Sequence, residues 1–126
     1  ELTKTAIQNG ANVVYNVAGP AGLGILKGAA DANKYAIGVD SDQNGLHPKN
    51  VLASMIKQIG NSIYDSIKQI RAGKAPFGTL EIYGLKNDGV GLIYNDALVP
   101  ASVQKQVDEA KAKVVSGAIK VDTAFK

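Results

Sequence analysis

Residues 12–43, NVVYNVAGPAGLGILKGAADANKYAIGVDSDQ, restrict what this chain can fold into more than any other stretch. Residues 12–17 form a short run rich in β-branched side chains, which reads as a buried strand. Gly19-Pro20-Ala21-Gly22 then turns the chain into a helix on which Leu23, Leu26 and Ala30 share one face. Residues 35–39 read as the next strand. Strand, helix and strand at this spacing make a βαβ unit, whose two strands lie parallel. The glycine loop and the following loop, with Asp40 and Asp42, both fall at the carboxyl ends of their strands. Open parallel α/β sheets bind ligands in the crevice outside those ends. The order of elements therefore predicts a doubly wound α/β fold with a small-molecule site.

The flanking segments fit that class. Residues 2–9 read as the last turns of a helix stopped by Gly10, with no start signal in front of it. This predicts a chain that opens inside an element, with a processed or trimmed start. Residues 51–56 are apolar again and continue as a strand. Ile59, Ile63, Ile67 and Ile70 step by four, four and three, so they form one apolar stripe on a helix that Gly73 ends. The expected role of that stripe is core packing. Residues 79–83 and 90–94 read as two strands, and Asn87-Asp88-Gly89 between them predicts a hairpin. Pro100 suits the first position of a final helix with Val103, Val107, Ala110 and Val114 on one side and Gly117 at its end. The tail, 118–126, is read as a short edge strand.

Composition narrows the function. A chain of 126 residues with 45% hydrophobic and 20% charged residues is globular rather than disordered. It has no cysteine, which excludes disulfides and thiolate metal sites. The net charge is +3 and the lysines are scattered, without the dense basic cluster and interleaved aromatics of a nucleic-acid binder, so no nucleic-acid partner is expected.

The loops resemble several ligand motifs and match none of them. Gly19 and Gly24 have P-loop spacing, but Ile25 stands where the phosphate-binding lysine is needed. The order G-x-x-G-x-G also differs from the dinucleotide fingerprint. The loop's amide N–H groups can still meet a ligand oxygen. Asp40-Ser41-Asp42-Gln43-Asn44-Gly45 imitates the start of a calcium loop, yet a strand precedes it and Val51 stands at the twelfth position. Neither a metal nor a cofactor is expected. Asp40 is better suited to gripping neutral hydroxyls, because a carboxylate is an acceptor with two oxygens and can hold a vicinal diol. Lys57 lies between an apolar run and a helix, a place where lysines are usually solvated. Tyr15 faces either the core or the ligand crevice, where an aromatic ring can stack on a flat ligand. His47 has no metal partner in sequence and no serine nucleophile near it. No nucleophile, base and orienting group assemble, so the chain is not expected to be an enzyme.

Four blocks, VVYNVAGPAGLG, YAIGVDSDQ, VLASMIK and YGLKNDGVGLI, resemble in order the basic membrane protein family of substrate-binding lipoproteins, which includes purine nucleoside receptors. The resemblance covers residues 12–93. It implies a type I periplasmic-binding fold, with one lobe plus elements of the second, and a chain, 1–126, that is the C-terminal portion of a two-lobed solute-binding protein. It implies a crossing between lobes near 54–58. The implied function is the solute-binding component of an ABC importer that holds a nucleoside between its lobes. Asp40 would take the ribose hydroxyls and Lys57 would assist. Ala18, Gly19 and Gly22 would line the cleft, and Tyr15 would stack on the base. Partners would be the small ligand and an ABC permease, and the location extracytoplasmic, with a lipid anchor. Many family members read Gly-Gly-Thr-Gly where this chain has Gly19-Pro20-Ala21-Gly22. A 126-residue piece of such a protein is expected to pair with a second copy by exchanging elements. The alternative is the effector-binding domain of a transcription regulator with the same fold. A DNA-binding segment upstream of Glu1 would mark that alternative, and a lipoprotein signal the importer.

Overall fold

A computed structural model describes residues 1–121. The elements in order are α1 (Leu2–Gln8), β1 (Val13–Tyr15), α2 (Gly22–Asp31), β2 (Tyr35–Asp40), β3 (Val51–Lys57), α3 (Ile59–Arg71), β4 (Val90–Tyr94) and α4 (Ala101–Ser116). Short 3-10 turns occupy Gly19–Ala21, Asn44–Leu46 and Leu85–Asn87. The strands form one sheet in the order β1-β2-β3-β4. β1 pairs parallel with β2 through Val13–Tyr35, Val14–Ala36 and Tyr15–Ile37, and β2 pairs parallel with β3. The chain is thus an α/β fold of the expected doubly wound kind. The described residues divide into two compact units, one of residues 1–57 and 92–104, the other of residues 58–91 and 105–121.

The first unit holds the core. Leu26 and Ala29 of α2 pack on Ala36 of β2 and Val51 of β3, and all four are fully buried. The buried face of α2 is Gly22, Leu26 and Ala29, spaced four and three. Leu23 was expected on that face but is 55% exposed, because the helix is rotated so that Gly22 lies inward. β1 is also shorter than expected. It stops at Tyr15, since the chain bends at Ala18 into the Gly19–Ala21 turn.

The expected hairpin is absent. Residues 79–83 form no strand, and β4 joins the sheet beside β3 instead. The Gln58 N–H donates to the Gly89 carbonyl and the Asn95 N–H to the Leu52 carbonyl, so β4 runs opposite to β3. The Asn-Asp-Gly signal still acts locally. Asp88 takes a left-handed backbone, φ 50°, and the Asn87 carboxamide accepts from the Gly84 N–H and donates to the Ile82 carbonyl. Those bonds close a loop rather than a two-strand turn.

In the second unit α3 forms as expected and Gly73, at φ 66°, follows its end. Its isoleucine stripe is not core, however. Ile59, Ile63, Ile67 and Ile70 are all more than half exposed, and Leu80 and Ile82 are more exposed still. Among the described residues that face is left more than half open to solvent. The expected edge strand is not formed by residues 118–121, and 122–126 lie outside the described residues.

Candidate functional site

The carboxyl ends of β1, β2 and β3 carry the candidate residues, all within the first unit. Asp40 ends β2 and Lys57 ends β3. Their side chains meet, with Lys57 Nζ 2.8 Å from Asp40 Oδ1 and both about half exposed. One ammonium does not exhaust a carboxylate, which has about four lone-pair sites. The pair therefore keeps acceptor capacity for a ligand hydroxyl and offers a cationic donor beside it.

The backbone at Asp40 is unusual. Its φ is 71°, and the Ser41 N–H donates to the Val39 carbonyl across it. A bond between residues two apart around a positive φ is the strained form of the γ-turn. Such outliers cost on the order of 1–3 kcal/mol and concentrate where a side chain must be aimed.

The Lys57 ammonium is held above its ordinary pKa, chiefly by its hydrogen bond to Asp40 and then by that carboxylate's charge, with burial opposing and Tyr15 adding a smaller upward push. A raised lysine pKa stabilises the fold fully below the unfolded value, and that contribution is lost as pH rises through the folded value. Wild type and Lys57→Met should therefore differ in denaturant midpoint by a constant amount from neutral pH, where the Asp40 carboxylate is charged, up to about pH 10, the unperturbed lysine range. The difference should close at more alkaline pH. A gap that widens there would contradict the pairing.

Tyr15 is half exposed and belongs to the same strand ends. Ala18 precedes the 3-10 turn and Gly19 opens it at φ 51°, a backbone value that favours glycine. Gly22 is the first residue of α2 and is buried. A Cβ there would collide with the Asn16 carboxamide, so only glycine fits. Asn16 itself is fully buried, and neither its Oδ1 nor its Nδ2 has a hydrogen-bond partner among the described residues. Sequence reading passed over Asn16, because an asparagine at a strand end looks like an ordinary turn residue.

It also passed over the side chains behind the acidic loop. Gln43 Oε1 accepts from the Val39 N–H at 3.1 Å, and Ser54 Oγ accepts from the Gln43 N–H at 2.9 Å and donates to Asn44 Oδ1 at 2.8 Å. Asn95 donates to the carbonyls of Pro48 and Val51 and ties down the far end of the same loop. Among the described residues no cluster of three or more histidines, cysteines or carboxylates could hold a metal, and His47 stands in no such group. A concavity of about 550 Å3 lies in the second unit, lined by Asp65, Lys68, Gln69 and Glu81 among others, and contains none of the candidate residues.

Known proteins share the family and the fold of this chain. The "ABC transporter nucleoside-binding protein BmpA" of Lactococcus lactis is 33% identical over 130 residues, covering 90% of this chain and 36% of that protein. Among solved structures, a solute-binding protein of an ABC transporter system from Aeropyrum pernix has a TM-score of 0.73 at 23% identity, over 99% of this chain and 44% of that one. A transcriptional activator of the comK gene from Bacillus halodurans has a TM-score of 0.85 at 21% identity, over 96% and 42%. The two structures establish the shared fold. The chain spans about a third of the length of the curated relatives it matches. The family model for the PnrA-like substrate-binding proteins of ABC transporters matches residues 1–123, and the chain belongs to this family, Bmp.

Proposed function

We propose that these residues form part of the ligand site of a two-lobed solute-binding protein that captures a ribonucleoside and hands it to an ABC permease. The observation that carries this reading is the Asp40–Lys57 pair at 2.8 Å, set at the ends of adjacent parallel strands. The carboxylate accepts from the ribose hydroxyls, and the lysine fixes it and donates to a ligand oxygen. Tyr15 offers a half-exposed ring for the base. Ala18 and Gly19 line the approach, and Gly22, buried against Asn16, lets the helix start close behind them. The role is binding without catalysis, and it needs no metal or cofactor. Family membership and the nucleoside-binding relative support it. The protein then works outside the cytoplasm, tethered by lipid, with these residues on one side of an interlobe cleft and the chain crossing between lobes near 54–58.

Titration calorimetry with a purine ribonucleoside tests the reading. A complete two-lobed protein should bind in the micromolar range, about −8 kcal/mol, while residues 1–126 alone, with about half the contacts, should fall toward millimolar. Micromolar binding by the 126-residue chain as a monomer would show that the second half of the cleft is not needed.

The uncovered apolar surface predicts the state of the isolated chain. Phe77, Leu80 and Ile82 are 81%, 86% and 78% exposed, beside the half-exposed stripe of α3. Apolar surface left in water forgoes roughly 25 cal/mol per Å2. Exchange of elements with a second copy covers it at low cost. Light scattering should give a dimer mass, and a monomer mass across micromolar concentrations would contradict this.

A further inference from the structure

Asp40 and Lys57 should not meet if β2 and β3 kept strict alternation. The register sets Gly38 opposite Ser54, Val39 opposite Met55 and Asp40 opposite Ile56. Alternation then places Asp40 with Gly38 and Ile56 on one face, and Lys57 with Val39 and Met55 on the other. The positive-φ turn at Asp40 breaks the alternation, and the carboxylate reaches Lys57. Something must hold that turn against its strain.

The holding group is Gln43. In β2 the odd-numbered backbone groups face β1: the Tyr35 N–H donates to the Asn12 carbonyl and the Ile37 carbonyl accepts from the Asn16 N–H. Val39 is next in that series, but β1 has already stopped at Tyr15. The Gln43 carboxamide oxygen accepts from Val39 in place of a strand. It thereby ties the residue before Asp40 to the residue three after it. Fully buried Ser54 fixes Gln43 in turn by accepting from its backbone N–H. Gly38 supplies the room. A Cβ at Gly38 would lie 2.8 Å from Gln43 Oε1, 2.9 Å from Gln43 Cβ and 2.9 Å from Ser54 Oγ, closer than real side chains approach.

We propose that Gln43, anchored by Ser54 and accommodated by Gly38, is a positioning residue that holds the Asp40 turn and so aims its carboxylate at Lys57 and the ligand. This rests on the site reading given above and adds the device that sets its geometry. Gln43 acts through the backbone of Val39.

The test follows the Lys57 ammonium by NMR titration, with Asp40→Asn as the unpaired reference. In Gln43→Met, similar in length but without the acceptor, the Lys57 titration should drop to that of the reference, in the ordinary range near 10.4. Gly38→Ala, which crowds Gln43 without removing it, should shift it the same way. Thermal melting confirms that each variant is folded, and if Gln43→Met does not fold, Gly38→Ala decides. A folded variant whose Lys57 titrates as in wild type overturns the proposal. The titration needs no ligand, so its outcome is separate from whether a nucleoside binds.

Discussion

Asp40→Asn should weaken ribonucleoside binding by roughly ten- to a hundredfold, the equivalent of about 1.5–3 kcal/mol for a hydrogen bond to a charged group. Asparagine is the right replacement, because it tolerates the left-handed backbone that Asp40 adopts at φ 71°. Alanine there would add backbone strain on the order of 1–2 kcal/mol and mix a folding effect with a binding one. Lys57→Met should also weaken binding. It removes the ammonium that sits 2.8 Å from the carboxylate and lets the Asp40 side chain wander. The two substitutions should be non-additive, because each removes the same pair. Titration calorimetry on the two single variants and the double variant of the two-lobed protein measures this. Simple additivity of the two losses would mean that Asp40 and Lys57 act on the ligand separately.

Leu26→Ala should destabilise the chain by about 2–5 kcal/mol, the cost of removing a large buried side chain and leaving a cavity. Leu26 is fully buried, in a core cluster that among the described residues otherwise contains Ala29, Ala36 and Val51. Alanines and one valine have little freedom to collapse into the gap, which favours the upper part of that range. Domains of this size have about 5–15 kcal/mol of stability in total, so the loss is severe. Leu23→Ala, three residues away and 55% exposed, should stay within about 0.5 kcal/mol. Urea denaturation of the two variants separates them. Equal losses would mean that the helix does not pack as described.

The contrast between Leu23 and Leu26 shows where sequence reading is strong and where it runs out. The helical period is legible, and so is the βαβ unit that carries it. The rotation of the helix is not, because it depends on how close Gly22 comes to Asn16, a contact between the helix and the loop that follows β1. The failed hairpin has the same origin. Asn87-Asp88-Gly89 is a sound local turn signal. Strand pairing is nonlocal, and the edge of β3 took β4 as its partner. The isoleucines of α3 were legible as an apolar face, but a period cannot say whether anything covers it. At the candidate site, Asp40 stood out because an acid at the end of a parallel strand is chemically informative. Gln43, Ser54 and Gly38 did not, because nothing in their types or spacing announces that a side chain will stand in for a missing strand. Only the hydrogen bond from Val39 to Gln43 reveals it.

In the proposed site the Asp40 carboxylate receives the hydroxyls of a ribose. The most direct test compares a purine ribonucleoside with its 2′,3′-dideoxy counterpart on the two-lobed protein, in wild type and in Asp40→Asn. Wild type should prefer the ribonucleoside by roughly tenfold or more, because the dideoxy ligand leaves the carboxylate without its donors. In Asp40→Asn that preference should largely vanish. Equal affinity of the wild-type protein for the two ligands, or a preference that survives the substitution unchanged, would mean that Asp40 does not hold the ribose.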